Sequence, residues 1–276
     1  MGNKGSFNTS KRRTARAALV LALSAAGAGG FSCAPATPNA KAAPVVKECQ
    51  IQPDQASTLS ARWKLTPIPI AFSQSPGFTA SELADMVAAA DSWNTFAQSS
   101  MNMPLIDYGG DPSNPRMSSA TKPTTLCAQG IVQGNQFSGQ VVIYAVPRWP
   151  YTNLQDAIAL TSFCPLPAKP LPTMYMAIME VNYQNFFTAG KKVPDLRTII
   201  LHELGHLVGL NHSCETKDKA GFPNCTSPTL NPAYYSAVMF PVFGFDSSGL
   251  GEQKRQLTEN DQGRANCLYQ PTPSGN

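Results

Sequence analysis

Apolar residues along this chain switch between the spacing of strands and the spacing of helices. Residues 68–72 alternate as a strand does, and Pro69 within them indicates an edge position. Apolar residues then recur at helical spacing over 83–93, with Thr79 or Ser81 as the helix N-cap. The other strand candidates are residues 105–108, residues 140–146 and the segment from Met174 to Asn182. The first two thirds of the chain are therefore predicted to supply strands and one long helix.

The last third of the chain is predicted to contain two helices separated by irregular chain. Asp195 is an N-cap residue for a helix that runs through Leu204, and Pro194 prevents an earlier start. Residues 213–256 show no sustained period, and Thr258 begins a final helix. The order strand, helix, strands, helix, helix contains no repeat and predicts one mixed α/β domain.

The first 58 residues have the composition of an export signal followed by a linker. Basic residues precede an apolar run at 17–23 that is too short for a comfortable membrane span, so residues 1–33 are predicted to be an export signal. An N-terminal anchor helix is the alternative. Residues 34–58, rich in Ala, Pro, Lys and Gln, are predicted to be a linker. The folded domain is then expected at residues 59–270, followed by a C-terminal tail at 271–276.

Composition and charge narrow the classes to which the protein can belong. Hydrophobic residues make up 42% of the chain and charged residues 14%, which is typical of a folded domain. The formal net charge of +4 includes five basic residues within the first 32 and falls to −1 without them. We therefore expect no nucleic-acid-binding surface and no surface for anionic lipids. We expect an exported protein, whether secreted, periplasmic or at the cell surface, that acts as a monomer.

The seven cysteines fit export into an oxidising compartment. Cys33 stands where a bacterial lipoprotein signal would place its lipidated cysteine, and ordinary cleavage further along the chain is the alternative. The remaining six cysteines predict three disulfides, for which fifteen pairings exist. Cys214 and Cys225 flank one polar loop and form the best supported pair. Cys49–Cys267 would then tie the two ends of the domain, leaving Cys127–Cys164.

The strongest chemical signal is the segment His-Glu-Leu-Gly-His-Leu-Val-Gly-Leu-Asn-His at residues 202–212. His202 and His206 are four residues apart, so on a helix both rings project from one face and can hold one zinc ion. Gly209 can take a positive φ, end the helix and bring His212 round as the third ligand. The chain has only these three histidines. Packing in the core explains one such histidine easily, but not three at this spacing.

Glu203 supplies the acid–base group that a hydrolytic zinc site needs. It follows His202 and is rotated by about 100° around the helix axis, which directs it to a metal-activated water rather than to the metal. Three neutral ligands leave an open position for that water. Glu203 would take the water's proton during attack on a peptide carbonyl and pass it to the leaving amine. This predicts peptide hydrolysis without a covalent intermediate.

Residues 202–212 resemble the long zinc motif of the metzincins, whose third histidine follows a glycine turn. Residues 237–241, which read Ala-Val-Met-Phe-Pro, resemble the methionine turn of the matrixins, with Met239 as its methionine. Ser213 after the third histidine and the closing segment 257–269 are similar to the same family. The resemblance covers most of the predicted domain and is most specific at the zinc motif.

The resemblance implies a metzincin fold, in which a twisted mixed sheet carries an active-site helix and a C-terminal helix. It implies that Met239 and Gly209 support the site, and that the segment from Met174 to Asn182 is an edge strand along which an extended peptide binds. Matrixins also carry a structural zinc ion bound by further histidines, and this chain has none to spare. Calcium is a weaker expectation, in the loops from Asp107 to Asp111 or from Asp246 to Glu252, because short acidic loops are usually only solvated.

These signals together predict an exported zinc metalloendopeptidase of the matrixin type, acting on protein or peptide substrates with one catalytic zinc ion. One alternative is a zinc-containing surface or binding protein that keeps the fold without catalysis. Glu203 argues against it, because a pure binding module gains nothing from a general base. A second alternative is an enzyme of narrow specificity. Sequence does not separate it from a broad protease, because the loops that line the substrate pocket set specificity.

Overall fold

A computed structural model describes residues 44–123, 140–188 and 190–270. The predicted export signal, the candidate lipidation site Cys33 and the C-terminal tail lie outside these ranges, as does Cys127. Within the described ranges, no helix combines the length and the apolar character that crossing a membrane requires.

The centre of the fold is a mixed, mostly parallel sheet of seven strands, in the order β1-β7-β5-β2-β3, with β4 also paired to β2 and β6 paired to β7. Only the β6–β7 pair is antiparallel. The strands are β1 (Arg62–Trp63), β2 (Ile68–Ser73), β3 (Ile106–Asp107), β4 (Met117–Ser118), β5 (Val141–Val146), β6 (Ala159–Leu166) and β7 (Thr173–Asn182). The predicted α/β class is therefore confirmed.

Four α-helices accompany the sheet in the described chain, namely α1 (Ala80–Met101), α2 (Leu196–Val208), the short α3 (Pro232–Ser236) and α4 (Glu259–Tyr269). Thr79 caps α1 in a capping box, so it and not Ser81 is the N-cap. Asp195 caps α2 and Thr258 caps α4, as predicted. Each cap accepts the backbone N–H of the residue three positions later and so satisfies a donor that the helix itself leaves unpaired.

The two faces of the sheet carry different cores. On one face α1 and α2 pack together, and the indole Nε1–H of Trp93 on α1 donates to the Leu201 carbonyl on α2 at 3.0 Å. On the other face a smaller cluster gathers around Tyr144 and Trp149. Strand β5 contributes alternate residues to both clusters, which explains why its sequence is apolar throughout. The sheet therefore holds α2 rigidly against its larger core.

The structure corrects the two predicted edge strands. Pro69 does not mark an edge, because β2 has β5 on one side and β3 and β4 on the other. The segment from Met174 to Asn182 forms most of β7, which is also interior, since β6 runs along one side and β1 and β5 along the other. Among the described strands, β6 pairs only with β7 and is the edge next to α2. Sequence analysis did not identify β6, because the adjacent polar residues Thr161 and Ser162 interrupt its alternation.

The predicted linker at 34–58 is wrong for the part that the structure describes. From residue 44 onward the chain packs against the domain: Val46 and Gln55 are buried, and residues 53–58 form a short 3-10 helix. Sequence periodicity could not find this segment, because it is held by buried polar contacts and a disulfide instead of an apolar stripe. The folded domain thus includes residues 44–58 as well as the chain from 59 onward.

Two of the predicted disulfides are present. Cys49 is bonded to Cys267 on α4, and Cys214 is bonded to Cys225, eleven positions further along the chain. Cys164 on β6 is also a disulfide cysteine, while Cys127, its predicted partner, lies outside the described residues. The first disulfide joins the start of the described chain to its last helix.

Candidate metal centre

Helix α2 carries His202, His206 and Glu203, and it ends at its C-cap Gly209, as the sequence predicts. Gly209 has a φ of 119°, and a Cβ placed there would lie 1.9 Å from the Ala61 carbonyl oxygen. Glycine is required at this position for two reasons. The backbone is in the left-handed region, and another chain segment approaches too closely to leave room for a side chain. The Leu210 N–H donates back to the Gly205 carbonyl at 2.9 Å, and the chain then turns to bring His212 beside the helix.

The three histidines converge in a buried cluster, as predicted. One ring nitrogen from each of His202, His206 and His212 lies within 4.8 Å of the others, and all three side chains are buried. Nε2 of His202 and both ring nitrogens of His212 have no hydrogen-bond partner among the described residues. Buried polar atoms are rarely left unpaired, so these nitrogens indicate a ligand. In the described part of the chain, this is the only group of three or more His, Cys, Asp or Glu side chains close enough to hold a metal ion.

Backbone carbonyls orient two of the three rings. His202 Nδ1 lies 2.7 Å from the Val238 carbonyl oxygen, and His206 Nδ1 lies 2.7 Å from that of Leu210. A carbonyl can only accept, so Nδ1 carries the proton on both rings and Nε2 keeps a free lone pair. Burial lowers the pKa of all three histidines, most strongly for His202 and His206, where the neighbouring histidines add to the effect. The cluster is thus neutral, the form that coordinates metal.

Glu203 lies beside this cluster and is also buried. Burial raises the pKa of its carboxyl group to about 7, against a smaller lowering by hydrogen bonds from Thr161. The Thr161 hydroxyl donates to Glu203 Oε2 at 2.6 Å and lies 3.3 Å from the Glu203 carbonyl oxygen. A carboxyl group with a pKa near neutrality can both take and return a proton. Sequence analysis did not identify Thr161, because its strand β6 was not predicted.

Met239 lies directly beneath α2, as the sequence resemblance implied for a supporting residue. A Cβ added to Gly205 would lie 2.2 Å from the Met239 sulfur, so the helix and the methionine are in close contact. The Met239 carbonyl accepts the Ser213 N–H at 2.8 Å, next to the third histidine. The turn that contains Met239 therefore supports both the helix and the loop that carry the three histidines.

A buried ion pair on α4 supports the same two structures. The Asp261 carboxylate accepts the backbone N–H groups of Val238 and Met239 at 2.9 and 3.2 Å. Arg264, 3.7 Å from Asp261, donates to the carbonyls of Asn211 and His212 at 3.1 and 3.4 Å. Both side chains are completely buried. No sequence pattern separates a buried arginine from the many exposed ones, so sequence analysis did not identify this pair.

The N-terminal segment completes the support of the third histidine. The Thr58 carbonyl accepts the Asn211 N–H at 2.7 Å, and the Gly209 carbonyl accepts the Ser60 N–H at 2.8 Å. The buried Gln55 side chain donates to the Ser213 carbonyl at 2.9 Å. We call residues 55–60 the N-terminal brace. The loop that presents His212 is thus held by this brace, by the methionine turn and by α4.

The two loops considered for calcium use their carboxylates in other ways. Asp107 forms an ion pair with Arg116 at 2.7 Å, and Asp111 accepts hydrogen bonds from Ser113. Asp246 accepts the backbone N–H groups of Ser248 and Leu250, and Glu252 accepts that of Gly244. These bonds close the loops internally, and calcium in them stays a prediction.

A small pocket opens next to His202, between α2 and the segment that follows Met239. Phe240, Phe243 and Lys254 contribute to its walls. The Lys254 ammonium group lies over the Phe240 ring and donates to the Tyr235 carbonyl at 3.0 Å. The walls of this pocket therefore combine aromatic rings with one cation, Lys254, and the Glu252 carboxylate that lies 3.9 Å from it.

Comparisons with known proteins add no family assignment, since no family model matches the chain and no curated protein matches it significantly.

Proposed function

We propose that this protein is an exported zinc-dependent endopeptidase of the matrixin-like metzincin type. The observation that carries the proposal is the buried convergence of three neutral imidazoles, with unpartnered nitrogens, beside a buried glutamate. The sequence motif, Met239 beneath the helix and an antiparallel edge strand next to α2 all support it. The two disulfides between described cysteines agree with export into an oxidising compartment.

His202, His206 and His212 would hold the metal. Three uncharged nitrogen donors suit zinc, and three protein ligands leave one coordination position open, which is typical of catalytic rather than structural sites. The unpartnered ring nitrogens fit this role, because metal coordination would satisfy them. When bound, zinc supplies Lewis acidity to the substrate carbonyl and to water.

Glu203 is the proposed general base and then general acid. Its burial beside the histidines, with a pKa near 7, suits it to accept the proton of the attacking water. The same proton then passes to the amine that leaves. Thr161 holds one carboxylate oxygen of Glu203, and we infer that this leaves the other oxygen for the water.

The edge strand β6 is the proposed substrate-binding strand, in place of the segment from Met174 to Asn182. Among the described strands β6 lies at an edge of the sheet, where an extended peptide can add through backbone hydrogen bonds that accept many sequences. Thr161 connects this strand to Glu203, so a peptide aligned on β6 would run past the general base.

The experiment that tests the proposal measures cleavage of casein and of a fluorogenic peptide library by the purified protein. Wild type is compared with Glu203→Ala, with and without a zinc chelator, and zinc content is measured in both proteins. We expect cleavage by wild type, loss of cleavage with chelator, and loss of about 10²–10⁴-fold in the variant with zinc retained. If both proteins hold zinc and neither cleaves any substrate, the non-catalytic zinc-binding alternative replaces the protease.

A further inference from the structure

The third histidine differs from the other two in what surrounds its second ring nitrogen. On His202 and His206, Nδ1 donates to a backbone carbonyl. On His212, neither nitrogen has a hydrogen-bond partner among the described residues, although the side chain is almost completely buried. If Nε2 faces the metal, Nδ1 carries a proton that still needs an acceptor.

The carboxylate of Glu215 is next to that nitrogen. Its Oε2 atom lies 4.0 Å from His212 Nδ1, slightly beyond hydrogen-bond distance. The other oxygen, Oε1, accepts a bond from the Lys219 ammonium group at 2.9 Å. The Glu215 side chain is half-buried. Its Oε1 atom accepts the hydrogen bond from Lys219, and its Oε2 atom is the one that lies near His212.

Glu215 is held in this place by the loop that the Cys214–Cys225 disulfide closes. Its backbone N–H donates to the Pro223 carbonyl at 2.8 Å, and its carbonyl accepts the Cys225 N–H at 2.9 Å. The backbone of Glu215 is therefore held by hydrogen bonds at both its N–H and its carbonyl, and this limits where its carboxylate can lie. A movement of about 1 Å by the side chain would bring Oε2 to hydrogen-bond distance from Nδ1.

We propose that Glu215 is the positioning residue for the third metal ligand, accepting the Nδ1–H of His212 when metal is bound. The proposal rests on the proposed function, because it requires His212 to be a ligand. Histidine ligands commonly donate their second N–H to a carboxylate or a carbonyl, which fixes the tautomer and makes the ring a better donor. In this site His202 and His206 donate their second N–H to backbone carbonyls, and His212 donates its own to the Glu215 carboxylate.

A negative charge at this position has a second effect. The three histidine ligands are neutral, so a bound zinc ion keeps its full double charge. Glu215 places an anion one imidazole away from the metal and partly balances that charge. The Lys219 ammonium group partly neutralises the negative charge of Glu215. Removal of Lys219 should therefore strengthen the interaction between Glu215 and His212.

The test measures zinc affinity of the full chain by competition with a chromophoric chelator at pH 7.5, for wild type, Glu215→Ala, Glu215→Gln and Lys219→Met. Glu48→Gln is the matched control, because Glu48 is an exposed carboxylate with no side-chain contact to the site. We expect Glu215→Ala to weaken zinc binding about 10–100-fold. Glu215→Gln should restore much of the affinity, since its amide oxygen still accepts a hydrogen bond.

Two further measurements separate positioning from folding. The melting temperature of the metal-free protein should be similar in wild type and in both Glu215 variants. The visible absorption bands of the cobalt-substituted protein should change in Glu215→Ala and much less in Glu215→Gln. Wild-type zinc affinity in Glu215→Ala, with unchanged cobalt bands, would overturn the positioning role and leave the protease proposal intact. Failure of wild type to bind zinc would overturn both.

Discussion

The three histidines are positioned in two different ways. His202 and His206 project from one helix, and their separation follows from the helical repeat. His212 lies in a loop held by segments far away in the chain, including Gln55, 158 residues from its acceptor Ser213, and Arg264, 52 residues from His212. The comparison shows that the positions of His202 and His206 depend on local structure and that of His212 on assembly of the whole domain. Loss of a long-range supporting contact should therefore displace His212 before the other two histidines.

The largest expected effect follows from removing the buried cation that supports the loop. Arg264→Met leaves Asp261 as an unpaired buried carboxylate, which typically costs about 3–5 kcal/mol. Urea unfolding of the metal-free protein should show this loss in the free energy of unfolding. Arg148→Met, at an exposed arginine, is the control and should stay within about 0.5 kcal/mol of wild type. If the two variants are equally stable, His212 does not depend on α4.

The junction between the two regions is Gly209, and Gly209→Ala should be the next largest change. The left-handed backbone costs about 1 kcal/mol and the contact with the Ala61 carbonyl about 1–3 kcal/mol more, which gives about 2–4 kcal/mol. Gly110→Ala is the matched control, because Gly110 also has a positive φ but no neighbour within 4 Å of the added Cβ. Equal losses in the two variants would show that the close approach to the Ala61 carbonyl contributes nothing.

A smaller effect is expected on the helical side of the site, at the contact between β6 and Glu203. Thr161→Val keeps the shape of the side chain but removes the hydroxyl that holds the glutamate. We expect kcat to fall about 5–10-fold, equivalent to about 1 kcal/mol, with KM and zinc affinity unchanged. Thr152→Val, the same substitution at an exposed threonine outside β6, should leave kcat unchanged. A fall in zinc affinity of Thr161→Val would instead assign the hydroxyl to the support of the ligands.

The smallest expected effect is the pH dependence of the metal-free protein. The pKa of each histidine is lowered on folding, so the unfolded chain binds more protons and stability is lost as pH falls below about 6.5. Glu203 acts in the opposite direction, because its pKa is raised to about 7. As pH falls, the three histidines destabilise the folded protein and Glu203 stabilises it. Because the histidines outnumber the glutamate, we expect a net loss of stability between about pH 6.5 and pH 5. Urea unfolding at three pH values measures it.

Replacing one histidine sharpens this test. His206→Gln should reduce the slope of stability against pH, because one of the three groups that take up protons on unfolding is gone. A slope identical to that of wild type would mean that the cluster does not control stability in this pH range.

Features that depend on residues close together in the chain could be predicted from the sequence. The spacing of His202 and His206, the need for glycine at 209 and the helix caps all follow from backbone geometry within one or two turns. The Cys214–Cys225 pair is similarly local. These features could be predicted because each is specified by residues that are neighbours in the chain.

The position of each strand in the sheet and the polar groups that support the site depend on tertiary contacts. Strand β7 has the sequence of a strand but lies in the interior, whereas β6, which was not predicted, is at the edge among the described strands. Gln55, Thr161 and Arg264 act through hydrogen bonds to partners between 42 and 158 residues away. Hydrogen bonds of this kind leave no periodic signal, because a buried polar residue is stabilised by its partner in space and not by its neighbours in sequence.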